Sequence, residues 1–297
     1  MKADIFISGL SSPEGPVQLP NGDFLVVEMG QDAGSVSYVH STAKKIERIA
    51  KTGRPNGLAM DYRKTIWTAE SMHPSLVKVS FEGKVEIILE NCEGNPFMFP
   101  NDLAFGPDGK LYMTDSGIFY RDFVINGSIR SDFATAPYDG KVYCIDTSTL
   151  DIYTIDDGIH FANGIAFGPD GLLYVNETIT GNIYRYRRIN GRFDRKTRET
   201  FGNVIRDDGL VYYRGPDGMK FSSAGNLYCT VYGQGDVTVL DRNGSVIRRL
   251  ETLGKCPTNL VFGLPGTNSI YVTEVSKGAL ERHFTGEDGL PLHMGLA

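Results

Sequence analysis

Residues 101–115 read NDLAFGPDGKLYMTD: an apolar run, a Pro-Asp-Gly turn, then a second run rich in aromatic and apolar residues. That order is a β-hairpin signature. Close relatives recur as NGIAFGPDGLLYVNE (163–177), NGLAMDYRKTIWTAE (56–70), EGPVQLPNGDFLVVE (14–28) and DGMKFSSAGNLYCTV (217–231). A sixth copy, 259–274, is one residue longer.

The copies start at 14, 56, 101, 163, 217 and 259, so they recur at intervals of 42 to 62 residues. Such an interval, with several strands per repeat, marks a β-propeller. Six copies predict an all-β, six-bladed propeller of four-stranded blades, one domain over 1–297. Each hairpin supplies two inner strands. The less regular sequence between hairpins supplies the outer pair, as in Ser35 to His40 with Ile46 to Lys51, and Lys141 to Ile145 with Asp151 to Asp156. The alternating segment Ala3 to Ser8 is predicted to complete the last blade, which removes two exposed sheet edges.

Inner strands of a propeller surround a channel, so the residues that open the copies are predicted to form a ring at one mouth: Glu14, Asn56, Asn101, Asn163, Asp217 and Asn259. Read singly, each has a plainer role; Asn-Gly and Pro-Asp-Gly are common turn sequences. Register separates them. Asp108 and Asp170 fall in mid-hairpin, whereas Asp217 heads its copy as Asn101 does. Two carboxylates and four amides, with no His or Cys, suit a hard divalent cation, Ca²⁺ above all. Zinc draws His or Cys.

After Asp115 the pattern breaks for about 25 residues, Ser116 to Gly140, which include Phe119, Tyr120, Phe123, Phe133 and Tyr138. Insertions in repeat arrays collect on one face, often the binding face. This one leaves from the mouth of the ring residues, and a lid is predicted, with Phe119, Tyr120 and the preceding Phe99 against the substrate.

At 297 residues, with 41% hydrophobic and 22% charged residues, the chain can bury a large core without disulfide or metal staples. A net charge of −6 offers no basic field for nucleic acid. The opening MKADIFISGLSS has too short an apolar run for a secretory leader, and no stretch reaches the length of a membrane span. A cytoplasmic location is the expectation. Cys92, Cys144, Cys229 and Cys256 lack CxxC spacing and read as buried thiols.

Glu14-Gly15-Pro16, Pro100-Asn101-Asp102, Asn163-Gly164 and Pro216-Asp217-Gly218-Met219 resemble the blade heads of the gluconolactonase, regucalcin and senescence-marker-protein family of six-bladed propellers. The resemblance covers nearly the whole chain. Within that family, Tyr232-Gly233-Gln234-Gly235 and Asn163-Gly164-Ile165-Ala166 are similar to bacterial drug-responsive lactonases. The resemblance implies metal ligands at Glu14, Asn163 and Asp217, with Asn101 as a fourth ligand or a substrate contact. It implies lactone hydrolysis, usually with Ca²⁺ and sometimes with Zn²⁺, Mn²⁺ or Mg²⁺. Two departures matter. Many sugar-lactonase members carry Arg at the position of Phe99 and an aromatic residue at that of Gln18, and the lost Arg favours a less polar lactone ring.

The chemistry of the ring fits that reaction: an oxygen-held cation can polarise a lactone carbonyl and stabilise the oxyanion. Water must then attack. Asp217 is the first candidate for its general base, and Asp115 is the reserve or a residue that orients a ligand. A phosphotriesterase would use the same metal on a P=O group. A non-catalytic Ca²⁺-binding propeller is the other alternative, and a strictosidine-synthase-like lyase lacks a clear acid here.

Overall fold

The computed structural model describes residues 3–295. Each hairpin forms because its runs are β-branched and aromatic while its turn supplies Gly at positive φ, as at Gly109 and Gly171. Hydrogen bonding then extends each hairpin outward into an antiparallel four-stranded sheet, six in all among the described residues. Blade one runs Pro13–Gln18, Phe24–Glu28, Ser35–His40 and Lys45–Lys51. Blade three runs Pro100–Phe105, Leu111–Asp115, Gly140–Ile145 and Ile152–Ile159. Blade six joins Pro257–Phe262, Ser269–Glu274 and Ala279–Phe284 to Asp4–Ser8 as its outermost strand. The first strand of the chain therefore closes the last blade, as the sequence predicts.

Strand periodicity places apolar side chains on both faces of the blades. In blade one, Leu25 and Val27 pack toward Leu58, Ile66 and Val77 of blade two. Phe24 and Val26 pack the other way, against Val261 and Tyr271 of blade six. Like clusters fill the remaining blade interfaces, and a seventh lies under the insertion. Near the channel, hydroxyls tie neighbouring inner strands: Thr114 donates to Asn163 O (2.6 Å), Thr230 to Thr258 O (2.7 Å) and Thr258 to Pro13 O (2.8 Å). Backbone also approaches closely here. A Cβ on Gly164 would lie 2.1 Å from Asp217 O, and one on Gly218 2.0 Å from Asn259 Cγ.

Five blades share a fastening. The second strand ends in a carboxylate that accepts a backbone N–H from the approach to the first strand. Glu28 takes Ser11 N (2.7 Å), Glu70 takes Arg54 N (2.8 Å), Glu177 takes His160 N (2.7 Å) and Glu274 takes Cys256 N (2.7 Å). Asp115 is the fifth, bound by Met98 N (2.8 Å), Phe99 N (3.0 Å) and Gly117 N (2.9 Å). Blade five has Val231 at the matching place, paired with Pro216.

All four cysteines are free, three buried and Cys256 half-buried. Among the described residues no helix is long and apolar enough to cross a membrane.

Candidate metal and substrate site

The ring residues meet as register requires, with one correction. Pairing of Pro257 with Glu274 matches that of Pro100 with Asp115, so Thr258, not Asn259, stands in line with Asn101. The extra length of this copy lies in its turn, Leu264 to Asn268. Asn259 is one layer deeper, where its Nδ2 donates to Glu14 Oε1 at 2.7 Å and its Oδ1 accepts from Leu260 N at 2.8 Å. Glu14, Asn56, Asn101, Asn163, Asp217 and Thr258 line one cavity of about 530 Å³.

Donor and acceptor bookkeeping orients the amides. Ser116 Oγ donates to Ala162 O (3.0 Å), so toward Asn101 it can only accept, and it takes Nδ2 at 2.9 Å. Thr178 Oγ1 likewise donates to Pro216 O (2.8 Å) and accepts Asn163 Nδ2 at 3.1 Å. Both Oδ1 atoms are thereby held away from these partners. Glu14 Oε2, Asn101 Oδ1 and Asn163 Oδ1 are buried and have no hydrogen-bond partner among the described residues. Orphaned buried oxygens are costly and need an occupant. Thr178→Val should free the Asn163 amide to turn, so any divalent cation this mouth holds should, by calorimetry, bind about 10- to 100-fold more weakly.

Charge points the same way. Burial first, then the nearby carboxylates of Asp102 and Asp217, push the Glu14 carboxyl well above the usual range. Burial and Asp102 do the same to Asp217, opposed by the Asn163 amide and Arg54. Asp102, absent from the sequence-predicted set, accepts Leu103 N (2.9 Å) and Ile165 N (3.3 Å) below the ring. Like charges this close disfavour ionisation unless a cation intervenes. Among the described residues no three His, Cys, Asp or Glu side chains cluster as a metal site. A cation at this mouth would therefore rely on amide oxygens beside the carboxylates, and the orphaned oxygens fit a hard divalent ion.

The insertion forms a one-turn helix, Tyr120–Phe123, and a hairpin of Val124–Ile125 with Ser128–Ile129. Tyr120, Phe123, Val124, Gly127 and Ile129 contribute to the cavity wall, facing Phe99, Phe161, Tyr213 and Tyr232. Two further sequence-based assignments, besides Asn259, do not meet the cavity. Phe119 turns to a separate recess with Met98 and Arg121, because its neighbour on the helix takes the inward place. Asp115 is occupied by three backbone N–H groups and is absent from the cavity wall. Arg54 is present there and was not foreseen.

Residues 13–276 match the sequence model of the SMP-30/Gluconolactonase/LRE-like region. The chain belongs to that family. Among curated members, the gluconolactonase of Zymomonas mobilis is 26% identical over 249 residues, 77% of this chain and 67% of that one. The lactonase drp35 of Staphylococcus epidermidis is 30% identical over 175 residues, 56% of this chain and 49% of that one. The matched stretch thus spans about half the length of the second relative. In solved structures the fold is shared with regucalcin, a calcium-binding protein of Agrobacterium tumefaciens, at a TM-score of 0.78 and 18% identity, covering 99% of this chain and 97% of that one. Every ring residue lies within the family region.

Proposed function

We propose that the protein hydrolyses a lactone with one divalent cation, Ca²⁺ first, held by Glu14, Asn163 and Asp217, with Asn101 as a fourth donor or a substrate contact. The supporting observation is the set of three orphaned buried oxygens beside the Asp217 carboxylate in one cavity. The family's gluconolactonase and drp35 lactonase relatives supply the reaction class. A bound divalent cation supplies positive charge that polarises the lactone carbonyl and stabilises the developing oxyanion.

The chain's residues supply the rest. Asp217 opens partly to the cavity and takes the proton of the attacking water. Without a cation, burial and Asp102 hold its carboxyl above the ordinary range, and cation ligation would lower it and weaken it as a base. Ser116 and Thr178 keep the Oδ1 atoms of the two amides free for the cation. Tyr120 and Phe123 wall the mouth and exclude bulk water, which strengthens electrostatic interactions inside. Asp115 keeps the approach to Asn101 in place.

The test is base uptake at constant pH with a panel of γ- and δ-lactones, using chelated protein and protein resupplied with Ca²⁺, Mn²⁺, Zn²⁺ or Mg²⁺. Turnover restored by metal is the expected result. Tight calcium binding with no lactone or phosphotriester turnover would instead support the calcium-binding reading that regucalcin's fold suggests.

A further inference from the structure

We propose that Arg54 binds a carboxylate on the substrate, so that the preferred lactone is an acidic one. This rests on the lactonase reading above.

Arg54 immediately precedes Pro55, and its side chain reaches the cavity from the approach to blade two. Its guanidinium carbon lies 4.1 Å from the centroid of Tyr120 and 5.3 Å from that of Phe99. Both aromatic rings thus lie against the guanidinium. Of the five N–H donors a guanidinium carries, one is used by a hydrogen bond from Nη1 to Ser71 Oγ at 2.9 Å. Arg48, Arg206 and Arg214 each pair with a carboxylate. Among the described residues Arg54 has no carboxylate partner.

A half-buried cation without a carboxylate partner is costly. Before a metal binds, the Glu70, Glu14 and Asp217 charges offset it from a distance. Once a divalent cation balances Glu14 and Asp217, Glu70 still offsets Arg54 from a distance, but its oxygens are already engaged by Thr52 Oγ1, Arg54 N and Met72 N, as those of Asp102 are by Leu103 N and Ile165 N. The paired donors of a guanidinium match a carboxylate in bidentate fashion. A neutral alkyl lactone would leave those donors empty. Phe99 alone suggests an apolar ring, but the guanidinium arrives over Phe99 from the neighbouring blade. Position in one strand could not reveal it.

The experiment compares γ-butyrolactone bearing a γ-carboxylate with its neutral carboxamide, on metal-loaded wild type, Arg54→Met and Arg54→Lys. Wild type should favour the acid in kcat/KM by about 10- to 100-fold, Arg54→Met should abolish that ratio, and Arg54→Lys should keep part of it. Equal rates in wild type, or equal losses on both substrates in Arg54→Met, would overturn the proposal and leave Arg54 as a prop for Tyr120. If neither lactone is hydrolysed, the lactonase reading falls by itself. Calorimetric binding of the ring-opened product, 2-hydroxyglutarate, then decides for Arg54: absent binding, or binding equal in Arg54→Met, refutes it.

Discussion

Asp217→Asn is expected to lower kcat/KM for lactone hydrolysis by about 10³-fold or more at saturating calcium, with circular dichroism unchanged. The substitution keeps the shape of the side chain and one oxygen. It removes a charge from the cation and the proton acceptor from the water. These losses separate on titration with metal. Were Asp217 a ligand only, raising calcium would restore turnover; as the base, the variant stays slow when fully loaded. Near-normal turnover at any calcium level would dismiss Asp217 from both roles.

Glu14→Gln is expected to move thermal stability in opposite directions with and without metal. In chelated protein the Glu14 carboxylate is buried against Asp102 and Asp217, so its loss should raise Tm by a few degrees, about 1 kcal/mol or more of relieved repulsion. In calcium the variant should lose most of the ligand-induced rise in Tm, because stabilisation follows affinity. The pH dependence has a definite sign. A carboxyl with its folded pKa raised contributes stability that is fully present below its unfolded pKa and lost as pH rises through the folded value. Chelated wild type should therefore melt progressively lower from about pH 5 upward, and Glu14→Gln should flatten that fall. Parallel Tm curves for the two proteins, in both chelator and calcium, would show that the Glu14 charge is not the one a cation offsets.

The blades were legible because hairpins carry their own punctuation: Asp108-Gly109 and Asp170-Gly171 fix the turns, and the spacing between copies fixes the ring. Five of the six mouth residues followed from register alone. The sixth did not, because Asn259 resembles the other heads and drew the alignment one residue past Thr258. Side chains that act through another residue left no such trace. Ser116 and Thr178 are ordinary hydroxyls until their acceptors, Ala162 O and Pro216 O on the neighbouring blade, fix which way they donate. Arg54 and Tyr213 come from approaches to blades, where no periodicity says which way a side chain turns. Asp115 shows the reverse case: of its two readings, base or positioning residue, its contacts favour the second. An acid near the mouth invites a chemical role, and only its three backbone partners reveal the structural one.

Val231 has a consequence of its own. In five copies, any change to the approach loop must remain compatible with a carboxylate that already grips its backbone. The approach to blade five escapes that constraint: it is held farther out, by Gln234 on Arg206 N and by the pairing of Arg214 with Asp208, and it carries Leu210, Val211 and Tyr212 into solvent before Tyr213 turns inward. A lineage adapting this protein to a new substrate could lengthen, shorten or recompose that one loop while the other five stay fixed. The missing acid thus marks where the scaffold leaves room for diversification.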